Sequence, residues 1–165
     1  MILNYLVFSI LISYFPFDWL ATLTEPAVFN LDGRFMARWS ADDKRVISQA
    51  KETLSGELKG KLSAYCTHVK HHGGVKKSLR LLTRVIPGFR YAARFDVARY
   101  YESIDHAVLL SQLETMQVSQ HNQDIVQQYL ALPDRRNSGR GMIAGGSLSP
   151  LLGAVMLTPL DKTME

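Results

Sequence analysis

The sequence predicts a helix-rich α+β domain, and three observations carry that prediction. Two stretches repeat their apolar residues at three- and four-residue spacing, the period of an amphipathic helix. The stretch "YAARFDVARYY" alternates Tyr91, Ala93, Phe95 and Val97 with residues facing the other way, the period of a strand. The chain has 165 residues with 47% apolar side chains, enough for one domain with its own core.

The elements follow in order. Residues 1–17, "MILNYLVFSILISYFPF", carry no charged side chain and reach the low end of a membrane-span length. A signal peptide needs Lys or Arg before its apolar core and a small-residue cleavage site after it, and neither is clear here. Pro16 and the aromatics Tyr14, Phe15, Phe17 and Trp19 read equally as a packed helix ending in a turn or as an interfacial anchor. Residues 24–40 hold Pro26 and the turn pair Asp32-Gly33, so they are expected to be a connector. Residues 1–33 together form an apolar extension and connector.

Ser40 stands where an N-cap belongs, with Asp42 and Asp43 in the first turn, where the helix dipole favours acids. From Ala41 to about Leu62 a helix is expected, with Val46, Ile47, Ala50, Leu54 and Leu58 on one face. Gly73-Gly74 then separates a His-rich approach from a second helix on Val75, Leu79 and Leu82, which ends before Pro87-Gly88. After the strand at residues 91–97, Ser103 is a candidate N-cap for a helix from Ile104 to about Met116, with Asp105 in its first turn. A further helix is expected from about Gln120 to Leu130, then a Gly-rich loop from Pro133. Ser149-Pro150 opens the last helix, because proline's missing N–H costs nothing at a helix start.

Charge is unevenly spread. Residues 34–99 carry fifteen Lys/Arg against five Asp/Glu, whereas residues 1–33 carry none against three and residues 100–165 four against seven. A basic middle suits a polyanion such as nucleic acid, or simply a solvated surface. Cys66 is the only cysteine, which excludes an internal disulfide and fits a reducing, cytoplasmic compartment.

Asp96 follows an apolar run and precedes two tyrosines. Alone it reads as a strand-end residue capping a turn. His68, His71 and His72 would lie near one helix face with Cys66 close by, but the flanking glycines favour a turn and no second ligand pair is present.

Three stretches carry a family resemblance. "RFDVARYYESIDHAVLL" resembles the first catalytic motif of bacterial reverse transcriptases, the group that contains group II intron and retron enzymes. "GMIAGGSLSPLLGAVMLTPLD" resembles a later motif of that family, and "HVKHHGGVKKSLR" the fingers segment of one bacterial branch. They stand in the family's order and cover about residues 34–165. The resemblance implies a partial right-hand polymerase fold with a small antiparallel sheet: fingers at about 34–90 and the first half of the palm at about 91–165. It further implies an RNA template, a DNA primer, deoxynucleoside triphosphates and two Mg²⁺ ions.

By the same resemblance, Asp96 is the metal-binding catalytic carboxylate and the Val97 carbonyl a further ligand. Arg99, Tyr100, Tyr101, Gly145 and Gly146 would meet the nucleotide, with Tyr101 as a steric gate under the sugar. Lys70, Lys76, Lys77 and Arg80 would meet phosphates. Asp105 and Ser103 belong to a helix start. The chain has Ile143-Ala144 where many members carry Pro-Gln, so the amide that positions nucleotide and template is missing.

The family's adjacent aspartates are missing too, since the chain's one Asp-Asp pair, Asp42-Asp43, lies far upstream. The expectation is therefore a piece of an RNA-directed DNA polymerase, inactive alone, needing a complementary C-terminal fragment or poorly soluble without one. A monomer that melts cooperatively would contradict the solubility expectation. A non-catalytic nucleic-acid-binding module and a membrane-associated interaction protein held by residues 1–17 are the alternatives.

Overall fold

The computed structural model describes residues 22–31, 34–69, 72–134, 138–143 and 145–164, and it is α+β: helix-rich with one small antiparallel sheet. The sheet is not where the sequence reading put it. Strand β1 (Ala27–Leu31) pairs antiparallel with β2 (Arg34–Arg38), Ala27 opposite Arg38 and Leu31 opposite Arg34. The supposed connector is thus a hairpin, and the boundary drawn between residues 33 and 34 passes between its strands. An Asp-Gly dipeptide alone separates the last paired positions, the strongest short-range hairpin signal a sequence offers. Residues 1–21, with their extension, signal and anchor readings, lie outside the described residues.

Helix α1 (Ala41–Glu57) begins as predicted: the Ser40 hydroxyl accepts from the Asp43 amide at 3.0 Å. It ends earlier than expected, at Leu58, where a run of turns passes through Gly60 at φ 75°. Its predicted face is the buried one, with Ile47, Ala50, Leu54 and Leu58 all inside. Helix α2 (Gly74–Val85) and a 3-10 turn (Ile86–Gly88) follow, but none of their residues is buried.

A single turn, α3 (Tyr100–Ser103), leads into α4 (His106–Thr115), capped by Asp105 rather than Ser103: the Asp105 carboxylate accepts from the Val108 amide at 3.2 Å. Ser103 instead donates its hydroxyl to the Tyr100 carbonyl. Helices α5 (Gln120–Ala131) and α6 (Ser149–Met164) complete the chain close to their predicted bounds.

The core forms where α4 packs on α5 and α6 and α1 packs on α5. Leu54, Leu109, Leu113, Val126, Leu148, Leu152 and Val155 fill it. One polar link crosses it. Buried Asn122 donates to Glu57 at 3.0 Å and accepts from the Thr53 hydroxyl at 2.9 Å, while Glu57 also accepts from the Ser119 amide at 2.9 Å. Each buried polar atom in that link has a partner, which is what makes its burial tolerable. Among the described residues, no helix is long and apolar enough to cross a membrane.

Candidate functional site

The strand expected at residues 91–97 does not form. Among the described residues the segment has no ladder partner, and every residue from Phe89 to Arg99 is exposed, Phe95 at 86%. The physical reason is that alternation supplies a strand's faces but not its neighbour. An extended segment without pairing leaves its amides and carbonyls to water and stays irregular. Asp96 and the Val97 carbonyl lie on this segment, so their setting is solvent rather than a rigid sheet.

The tyrosines are different. Arg99 turns the chain through the left-handed region at φ 50°, and the turn that follows sets Tyr100 and Tyr101 against α6. The Tyr100 hydroxyl donates to the Gly153 carbonyl at 2.5 Å, and the two rings lie 5.5 Å apart. Gly153 makes this approach possible: a Cβ there would stand 3.3 Å from the Tyr100 ring and 3.5 Å from the Tyr101 ring. Burial, then the neighbouring Tyr101, Asp161 and Cys66, push the Tyr100 phenol well above its ordinary value. It therefore stays protonated, as its donor role requires.

The Gly-rich loop meets this turn. The Met142 amide donates to the Tyr101 carbonyl and the Gly141 amide to the Ile104 carbonyl, each at 2.7 Å. The His106 amide donates to Gly139 at 2.9 Å, and His106 Nε2 lies 2.6 Å from the Gly141 carbonyl oxygen. A β-bridge joins Asp105 to Arg140, reinforced by an ion pair at 3.6 Å. The stretch "YYESIDH" and the start of "GMIAGGSLSPLL", some forty positions apart in the sequence, thus lie side by side.

Past Met142 the glycines part in purpose. Gly145, at φ 79°, needs glycine for its left-handed backbone, and a Cβ there would lie only 3.7 Å from Met36 of β2. Gly146 is needed for space, because a Cβ would overlap the Tyr129 hydroxyl. That hydroxyl is 3.0 Å from Ser149 Oγ, which donates to the Ile143 carbonyl at 2.7 Å, and the Tyr129 ring stacks on Trp39. Ala144, the position of the missing amide, lies outside the described residues.

Among the bases, Lys76 and Arg80 are exposed on α2, and Lys77 donates to the Ala64 carbonyl at 3.2 Å. Lys70 and His71 lie outside the described residues. His68 and His72 both meet Cys66: His68 Nδ1 lies 3.7 Å from its sulfur and His72 Nδ1 3.1 Å from its carbonyl, while His68 Nε2 lies 3.3 Å from the Pro150 carbonyl. Burial, with Asp161 nearby, raises the Cys66 thiol above its ordinary value. Among the described residues no three His, Cys, Asp or Glu side chains converge.

These donors do not fit a two-magnesium centre. Such a centre needs several carboxylates held rigidly around ions roughly 4 Å apart. Asp96 is one carboxylate on an exposed, unpaired segment.

Sequence reasoning missed the residues that build the site from behind: Gly153, His106, Tyr129 and Ser149. Only Gly153 left a signal, as an isolated glycine inside a helical apolar run. No family model, no curated protein and no solved structure matches the chain significantly.

Proposed function

We propose that these residues are the fingers and first half of the palm of an RNA-directed DNA polymerase of the bacterial reverse-transcriptase type, inactive until carboxylates from outside the chain complete the metal site. One observation carries the reading. The two stretches that resemble the family's catalytic motifs are joined by the hydrogen bonds between residues 101–106 and 139–142, with Tyr100 and Tyr101 held on α6.

In this reading the chain's own residues bind and position. Tyr101 bounds the sugar side of the nucleotide, the bases of α2 hold phosphates, and Asp96 contributes one metal ligand once its segment is paired. Arg99, Gly145 and Gly146 would meet the nucleotide in this reading.

Two measurements test this. The reading frame downstream of Glu165 should contain an in-frame Asp-Asp codon pair, and its absence in all frames sinks the polymerase reading. Primer extension on an RNA template with Mg²⁺ should give no product from this chain alone. Templated extension that disappears in Asp96→Asn would refute the incompleteness.

A second reading, a non-catalytic nucleic-acid-binding module, is favoured by the exposure of Lys76, Arg80 and Arg84 along α2. RNA affinity would then fall with salt at a slope of about −0.7 per phosphate contacted. Salt-independent binding counts against it.

A further inference from the structure

Helix α2 separates two kinds of surface that the functional reading does not use together. Val75, Leu79 and Leu82 share one face at helical spacing and are 74%, 56% and 49% exposed. Lys76, Arg80 and Arg84, at i, i+4 and i+8, share another. Val85, Ile86, Phe89, Tyr91 and Phe95, which follow along the chain, are exposed as well. Between Gly74 and Phe95 stand six Lys/Arg and no acid. The helix rests on the body through its remaining side, where Lys77, Ser78 and Leu81 are half-buried.

We propose that α2 and the segment to Phe95 form a docking surface for a membrane with anionic lipid headgroups, on which the helix lies rather than spans. Three arguments select this occupant. An aliphatic stripe offers nothing to the bases or phosphates of a nucleic acid, but it sinks into the acyl boundary of a bilayer. The bases on the neighbouring face then sit at headgroup depth, each attracting anionic lipid. Aromatic rings interleaved with Arg90 and Arg94 are side chains suited to that interface. A second copy of the chain fits poorly, because apposed α2 helices would bring two acid-free basic segments together. This use of the α2 bases competes with the phosphate role that the polymerase reading gives them, and the vesicle experiment separates the two.

The test is co-sedimentation of the full chain with phosphatidylcholine vesicles, with and without phosphatidylserine. Partition onto the anionic vesicles and little onto the neutral ones is expected. Arg80→Gln with Arg84→Gln should lower partition about thirtyfold. Leu79→Gln with Leu82→Gln should lower it at least about tenfold although every charge remains. All four side chains are exposed, so the circular dichroism spectrum should stay unchanged. Failure to partition onto anionic vesicles overturns the proposal, including the case in which the chain binds RNA instead. So does partition that the leucine pair leaves untouched, which would place the contact in residues 1–17 or reduce it to charge alone.

Discussion

Gly146 separates two accounts of the Gly-rich loop, because it is either a window for a nucleotide or a space for Tyr129. In Gly146→Ala the new methyl overlaps the Tyr129 hydroxyl and stands 3.0 Å from its Cζ. The ring cannot swing aside: Tyr129 is 3% exposed, stacked 5.6 Å from Trp39 and hydrogen-bonded to Ser149. Overpacking of this kind costs about 1–3 kcal/mol. Alanine recovers about 0.4–1 kcal/mol by restricting the unfolded chain. A net loss of about 1.4 kcal/mol should speed amide exchange in α5 and α6 roughly tenfold. Tyr129→Phe alone removes one hydrogen bond and should cost about 1 kcal/mol. It also removes the atom that the methyl overlaps, so the double variant should be more stable than the sum of the singles by about 1–2 kcal/mol. Hydrogen–deuterium exchange on the four proteins measures this cycle. Additive losses would refute the packing account. A Gly146→Ala protein with unchanged exchange and weakened nucleotide binding would favour the window.

Three further predictions rest on other parts of the fold. Burial alone would push the Asp43 carboxyl up, but hydrogen bonds from Ser40 and Thr24 outweigh it and hold the group below the ordinary carboxylate range. Its contribution is therefore full above the unfolded value of about 4 and is lost as pH falls through the lowered folded value. Asp43→Asn should flatten the acid limb of a helicity titration, and an unchanged limb disproves the linkage. Asn122→Ala removes the amide that joins Thr53 and Glu57 of α1 to α5 and leaves one half-buried Glu57 oxygen without its partner, at a cost of about 1 kcal/mol. Urea titration reads that loss, and a change under half a kcal/mol would mean that water replaces the amide. Trypsin should cut first after Arg90 or Arg94, where side chains are exposed and no ladder protects the backbone. A first cut within α1, after Lys44, Arg45 or Lys51, contradicts the described segment.

The helices were legible because their signals are local. Ser40 and Ser149-Pro150 mark helix starts by their own chemistry, and the α1 stripe from Ile47 to Leu58 names its buried face by period alone. Asp105 displaced Ser103 as a cap because Arg140, thirty-five residues away, pairs with that segment, and no local pattern reports such a partner. The hairpin was legible but discounted: Pro26 and Asp32-Gly33 were read as punctuation, though the run between them is Ala-Val-Phe-Asn-Leu. Of the candidate site, the tyrosines and glycines were visible by type, while the reason for each glycine was not. Gly145 answers to backbone conformation, and Gly146 and Gly153 answer to rings on other elements.

The unpaired segment shows why half of the candidate site is built and half is not. Tyr100 and Tyr101 need only α6 and the loop at residues 139–142, all within the helical core, so their positions follow from packing that this chain completes. Asp96 sits four residues earlier, yet its geometry depends on a strand, and a strand exists only through its neighbour. The alternation of Tyr91, Ala93, Phe95 and Val97 then becomes a liability, a row of apolar side chains and free backbone groups open to any pairing surface. A polypeptide that supplied the missing strand would pair with those backbone groups and fix Asp96 in the same step. In the proposed polymerase reading, metal affinity at Asp96 should therefore rise only on association with such a strand, and Mg²⁺ should bind the isolated chain no better than it binds the Asp96→Asn variant. Calorimetry that found tight Mg²⁺ binding to the isolated chain, lost in that variant, would break the link between pairing and the carboxylate.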